Sequence, residues 1–213
     1  MATSNPVRKA LHERIPTLGS WIQIGHPAVA EGLSLAGFDW LAVDCEHTDI
    51  SVAEFTQLAR GMYGRGPVPL VRVRENDTLA IRQVLDAGAQ GVIVPLVGSA
   101  EEAENAVASA KYPPRGKRGF CFSRMNNYGE DFDEYAASAN DDVIVVVMIE
   151  SKEAVENIDE ILAVDGVDGV FIGPYDMSGS MGIPGKLEAP VMKESMDKLL
   201  HACQAAGKSA GIH

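Results

Sequence analysis

The chain has 213 residues, 46% of them apolar, which is enough for one substantial core, and its formal charge of −12 excludes the basic face needed to bind nucleic acid or an anionic membrane. Its three cysteines, Cys45, Cys121 and Cys203, show neither metal-type spacing nor even pairing, so buried free thiols in a reducing compartment are expected. No apolar run reaches transmembrane length, and Met1-Ala2-Thr3-Ser4-Asn5 lacks the parts of a signal peptide, which leaves a cytoplasmic protein with a small-molecule partner as the expectation.

Along the chain, β-rich runs at residues 18–24, 39–45, 68–73, 91–96, 143–149, 168–172 and 207–213 alternate with helically patterned segments. That alternation predicts repeated βα units around a parallel sheet. Gly37, Gly88, Gly166 and Gly207 each fall just ahead of a predicted strand, where helix C-caps are expected. Ser99 reads as an N-cap, with Glu101 and Glu102 placed to favour the positive end of the following helix. Between Leu96 and Val143 the repeat is interrupted by Tyr112-Pro113-Pro114-Arg115-Gly116-Lys117-Arg118-Gly119 and an aromatic-rich stretch, too long for a plain connection. A closed parallel barrel takes eight strands, so one more strand and helix, about 40 residues, are expected beyond His213.

Three apolar runs discharge acids: Trp40-Leu41-Ala42-Val43-Asp44-Cys45-Glu46-His47, Val145-Val146-Val147-Met148-Ile149-Glu150 and Val170-Phe171-Ile172-Gly173-Pro174-Tyr175-Asp176. In a parallel barrel the loops at the carboxyl ends of the strands gather at one mouth. Glu150 and Asp176, one βα unit apart, could share a hard divalent cation, or Glu150 could cap a helix and Asp176 make a turn. His47 suits general acid and base work with Asp44 as its orienting partner, or is a surface histidine at a loop start. Arg72, between Val71 and Val73, needs an anion, either a substrate carboxylate or a structural partner such as Glu46 or Asp44. Gly173 and Pro174 leave little bulk, so a ligand could approach the backbone there.

Gly37-Phe38-Asp39-Trp40, Asp44-Cys45-Glu46-His47, Leu85-Asp86-Ala87-Gly88-Ala89, the Tyr112 to Gly119 segment, Ile149-Glu150 and Gly173-Pro174-Tyr175-Asp176-Met177-Ser178 together resemble the HpcH/HpaI family of class II pyruvate aldolases, in order from about residue 18 to 190. The resemblance implies a (β/α)8 TIM barrel of the phosphoenolpyruvate/pyruvate superfamily, with residues 1–213 as a single aldolase domain lacking its last strand and helix. It implies reversible aldol cleavage giving pyruvate and an aldehyde, and a homo-oligomer, commonly a hexamer of swapped dimers. It places a divalent cation (Mg2+, Mn2+ or Co2+) on Glu150 and Asp176, the base on His47, its partner acid on Asp44 and the pyruvate-binding arginine on Arg72. Met148 departs from the glutamine common in relatives two positions before the metal glutamate. Three alternatives stand beside this reading: a class I aldolase, for which no mouth lysine is evident and Lys152 belongs to the next helix; a citrate lyase β-like acyl-CoA lyase; and a barrel retained as a binding protein.

Overall fold

A computed structural model describes residues 4–212. In chain order the elements are α1 (Pro6–Glu13), β1 (Gly19–Ile22), α2 (Pro27–Leu33), β2 (Trp40–Asp44), α3 (Val52–Met62), β3 (Val68–Arg72), α4 (Thr78–Ala87), β4 (Gly91–Val94) and α5 (Ala100–Ala110). A short 3-10 helix (Arg124–Gly129) follows, then α6 (Phe132–Asp142), β5 (Ile144–Ile149), α7 (Lys152–Glu156), α8 (Ile158–Ala163), β6 (Gly169–Ile172), α9 (Pro174–Ser180), α10 (Pro190–Ala206) and β7 (Ser209–Ile212). Each predicted β-rich run contains one strand; the last residue of the final run, His213, lies outside the described residues. Among the described residues no helix is long and apolar enough to cross a membrane.

Local chemistry explains the helix boundaries. Ser99 caps α5 by accepting the Glu102 N–H, and Ser51 with Glu54 forms a reciprocal capping box on α3. Gly88 and Gly207 close α4 and α10 with positive φ, a conformation that costs glycine nothing. The long insertion is structured: it carries the 3-10 helix and α6, and the Tyr112 and Phe120 rings stack at 4.3 Å. Cys45 and Cys203 are buried free thiols as expected, whereas Cys121 is only partly buried.

The strands pair in parallel in sequence order, β1 to β7. Successive side chains of a strand alternate between its faces, and two cores result. The outer one, with Leu41, Val43, Val71, Val92, Val94, Val145, Val147, Ile149, Val170 and Ile172, packs beneath the helices; the inner one holds Ala42, Leu70, Ile93, Val146, Met148 and Phe171. Trp21 of β1 and Trp40 of β2 meet Phe171 of β6 edge to face, with centroids 5.6 and 6.3 Å apart. Neighbouring strands lie roughly 4.8 Å apart, so a flat sheet would hold β1 and β6 more than about 20 Å apart. The sheet is therefore strongly curled. The described residues supply seven staves of the expected barrel, with β1 and β7 as the sheet edges.

An apolar cavity of about 460 Å3 opens on the concave side, lined in part by Trp40, Leu70, Ile144, Phe171 and Gly211. None of the predicted site residues lines it. Helix α1 closes the amino-terminal end of the sheet. Its Val7 joins the inner core, and its Arg8 pairs with Asp168 at 2.8 Å. Asp168 also contacts His12 Nε2 at 2.8 Å and accepts the Val145 N–H at 2.9 Å, so this one buried carboxylate ties α1 to β5 and the start of β6.

Removing one partner of such a buried pair leaves an uncompensated charge. Asp168→Ala is expected to lose about 3–5 kcal/mol in urea unfolding. Lys9→Ala, which breaks only the exposed Lys9–Glu13 pair, should leave the unfolding midpoint unchanged within error.

Candidate active site

The inward parity of the strands places a set of polar groups at the carboxyl-terminal end of the sheet. Asp44 and Arg72 are register partners on the adjacent strands β2 and β3. Arg72 Nε donates to Asp44 Oδ1 at 2.9 Å and Nη2 to Oδ2 at 2.5 Å, a two-pronged pair buried at both ends. Trp21 lies under the guanidinium, 4.7 Å from ring centroid to Cζ. Asp44 Oδ2 also accepts from Gln23 Nε2 at 3.0 Å, and Oδ1 accepts the backbone N–H groups of Glu46 and His47 at 3.1 and 3.2 Å. Burial alone pushes the Asp44 carboxyl up. The Arg72, Gln23 and backbone hydrogen bonds, with the guanidinium charge, outweigh that and hold it at about 2.

Asp44 thus orders the loop that carries His47, but it does so through the backbone. The imidazole that Asp44 was expected to orient stands instead beside Glu46, with Nε2 3.5 Å from Glu46 Oε2. His47 is 58% exposed at its side chain, accessible from the mouth. Arg72 has the structural partners that the sequence left open, Asp44 foremost and Glu46 at 3.3 Å.

Glu150 directly follows β5 and is buried. Its Oε1 accepts the Leu96 N–H at 2.6 Å, and Leu96 holds a left-handed φ of 56° in doing so. Glu150 and Gly173 follow register partners, Ile149 of β5 and Ile172 of β6. A Cβ on Gly173 would fall 2.9 Å from Glu150 Cβ and 3.0 Å from Oε2, so glycine here is a matter of room; its backbone is ordinary. Pro174 and Asp176 sit in the first turn of α9, with Asp176 exposed. Burial first, then the neighbouring Asp176 charge, pushes the Glu150 carboxyl up, against the Leu96 N–H and the charges of Arg72 and His47. Glu150 therefore feels a second carboxylate charge, in an environment that favours a compensating positive one.

Carboxylate oxygens are the donor type that hard divalent cations prefer, and Gly173 places no side chain against Glu150 Oε2. Among the described residues no group of three or more His, Cys, Asp or Glu side chains lies close enough to hold a metal, so a cation on Glu150 and Asp176 would need further oxygens from water or a ligand. Lys152, the lysine that the sequence raised, pairs on its own helix and not with the groups of this mouth. It heads α7 with its amine 3.6 Å from Glu156, exposed. Lys111, whose amine burial and the Arg8 charge lower to about 8, donates to the Asn140 and Val143 carbonyls at the opposite end of β5.

The sequence profile of HpcH/HpaI aldolase/citrate lyase matches residues 17–211. The chain belongs to that family. It is 39% identical over 213 residues to a hydroxypyruvate/pyruvate aldolase of Agrobacterium fabrum, covering 99% of this chain and 80% of the relative. It is 36% identical over 208 residues to a 5-keto-4-deoxy-D-glucarate aldolase of Shigella sonnei, covering 98% and 81%. The crystal structure of an HpcH/HpaI aldolase/citrate lyase family protein from Burkholderia cenocepacia superposes with a TM-score of 0.94 at 31% identity, covering 98% of this chain and 84% of that one. This HpcH/HpaI chain is accordingly an enzyme of the carbon–carbon lyase type.

Sequence reasoning missed Gln23, Trp21 and Leu96. Gln23 carried a signal, since it falls two residues past Trp21, just beyond the end of β1 and in step with its inward-facing positions. Leu96 carried none, because it contributes a backbone N–H that any residue could supply.

Two expectations follow. A carboxyl held below its ordinary value adds stability that is complete above the unfolded-state value and is lost as pH falls through the folded one. Between about pH 5 and pH 2, wild type should therefore lose about 2 kcal/mol more than Asp44→Asn, measured by urea unfolding. Gly173→Ala should destabilise by about 1–3 kcal/mol through overpacking against Glu150, read by thermal melting.

Proposed function

We propose that the protein catalyses the reversible retro-aldol cleavage of a 4-hydroxy-2-oxoacid to pyruvate and an aldehyde, with a divalent cation such as Mg2+, Mn2+ or Co2+ held by Glu150 and Asp176. The observation that carries this reading is the buried Glu150 carboxylate, facing a second carboxylate charge and flanked by a glycine where any side chain would crowd it. The aldolase names of the relatives agree with it. In this reading residues 1–213 act as one aldolase domain of the (β/α)8 type, in a cytoplasmic homo-oligomer.

A cation bound there would act as a Lewis acid toward negative charge on the substrate's 2-oxo oxygen. The chain's own groups divide the remaining work. Arg72 spends two of its five N–H groups on Asp44, which fixes its plane and leaves the others to bind a pyruvate carboxylate or the developing enolate. His47, exposed at the mouth, takes the proton from the C4 hydroxyl. As that O–H bond breaks, its electrons form the aldehyde C=O; the C3–C4 pair becomes the enolate of pyruvate, and protonation at C3 completes the product. Gly173 and Pro174 leave the ligand room along the backbone at the start of α9. The Met148 side chain belongs to the inner core, with its methyl 3.7 Å from the site of a Gly173 Cβ, so the floor beneath Glu150 is apolar.

The test is pyruvate release from 4-hydroxy-2-oxopentanoate, followed with lactate dehydrogenase in the presence of Mn2+. Glu150→Gln and Asp176→Asn should each lower kcat/KM by about 10²–10³-fold, the loss typical when an electrostatic clamp on developing charge is removed. Full activity of either variant after EDTA treatment would refute the assignment.

A further inference from the structure

We propose that Gln23 is a specificity-determining residue at the aldehyde end of the site, where its side-chain amide hydrogen-bonds a hydroxyl on C5 of the substrate, one carbon beyond the C4 alcohol. This deepens the reading above and rests on it: the cation holds the 2-oxo end and His47 serves the C4 hydroxyl. Strand order supplies the placement. Glu150 follows β5 and Asp176 lies in α9 after β6, whereas His47 follows β2. A 2-oxoacid held at the first pair and deprotonated by the last runs across the mouth, so its carbons from C4 outward lie on the β2 side. Gln23 stands there. It comes directly after β1, the strand beside β2, in step with the inward position of Trp21, and its side chain bonds Asp44 at the end of β2. The same carboxylate accepts the His47 backbone N–H at 3.2 Å, so one acid holds both the amide and the loop that carries the base.

The amide is also oriented. Gln23 Nε2 donates to Asp44 Oδ2 at 3.0 Å, on the oxygen that takes Arg72 Nη2 as well. An ionised carboxylate only accepts, so turning the amide end for end would set its carbonyl oxygen against another acceptor. Oε1 is thereby directed away from Asp44. The Gln23 side chain is exposed, and the bond to Asp44 is its one hydrogen bond among the described residues, which leaves the carbonyl and the second N–H to meet a ligand. A hydroxyl both accepts and donates and can therefore use either. Among Gln23, Asp44, Arg72, Glu150 and Gly173, the residues that the inward parity brings to the mouth, Gln23 alone has a neutral hydrogen-bonding side chain. Asp44 and Arg72 hold each other, Trp21 lies beneath the guanidinium, and Met148 belongs to the apolar inner core. An amide placed to bind a hydroxyl discriminates against a substrate that lacks it, because that substrate displaces water and leaves the amide unpaired.

The test compares two substrates on the full chain with Mn2+: 4,5-dihydroxy-2-oxopentanoate, which releases glycolaldehyde, and 4-hydroxy-2-oxopentanoate, which releases acetaldehyde. Wild type should favour the first in kcat/KM. Gln23→Met, close in length and without the amide, should lower that preference by about 10-fold, the worth of one hydrogen bond, by acting on the dihydroxy substrate alone. Gln23→Glu keeps a carbonyl oxygen but has no N–H for Asp44, and it should lose the preference too. A role confined to steadying Asp44 and Arg72 gives a different pattern: both substrates fall by the same factor in Gln23→Met, and pyruvate binding, read as Kd by calorimetry with Mn2+, weakens with them. That pattern overturns the proposal, as does a preference that wild type lacks or that either variant retains. If wild type releases pyruvate from neither substrate, the retro-aldol reading fails and takes this assignment with it; an active wild type with an unchanged preference in Gln23→Met sinks the assignment of Gln23 alone.

Discussion

Curling a parallel sheet until Trp21 and Trp40 touch Phe171 imposes one condition on every strand: the residues that point inward along it converge. In the interior those positions are Ala42, Leu70, Ile93, Val146, Met148 and Phe171, which fill the space with apolar volume. One step further toward the carboxyl ends, the same parity delivers Gln23, Asp44, Arg72, Glu150 and Gly173. The site is thus the continuation of the inner core past the point where burial is complete. Because the sheet curls, groups far apart in sequence come within hydrogen-bond distance: Gln23 to Asp44, Asp44 to Arg72, and Leu96 to Glu150.

The acids at this mouth are tuned in opposite directions by their neighbours. Asp44 is deeply buried yet held at about 2, because every lone pair meets a donor and a guanidinium lies against it. Glu150 and Glu46 are pushed up, first by burial, with too few donors to offset it. A carboxylate fully paired within the protein is a structural fixture. One that is buried and underpaired favours a cation or a donor from outside, which makes it a candidate for a chemical site.

Buried charge elsewhere follows a different logic. Arg8 and Asp168 at the amino-terminal end pin α1 beneath the sheet, and Arg118 in the insertion pairs with Asp86 at 2.7 Å while lying over the Tyr112 ring at 4.6 Å. Two of the Arg118 nitrogens have no hydrogen-bond partner among the described residues, and the aromatic face offers part of the compensation. The first cluster ties α1 to the sheet, and the second ties the insertion to α4.

The sequence by itself determined the seven strands, the helix caps at Ser99, Gly88 and Gly207, and which residues end each strand, because period-two alternation and capping are local properties carried by neighbouring residues. It also nominated Asp44, His47, Arg72, Glu150, Gly173 and Asp176. Only the tertiary structure decided how they divide among themselves. That Arg72 takes Asp44 as its ion pair, that the imidazole turns to Glu46, that Leu96 spends a backbone N–H on Glu150 and that Gly173 is glycine for lack of room are facts of distance between separate strands and loops. Spacing along the chain cannot encode them, since each depends on how tightly the sheet curls and on which donors have already been claimed.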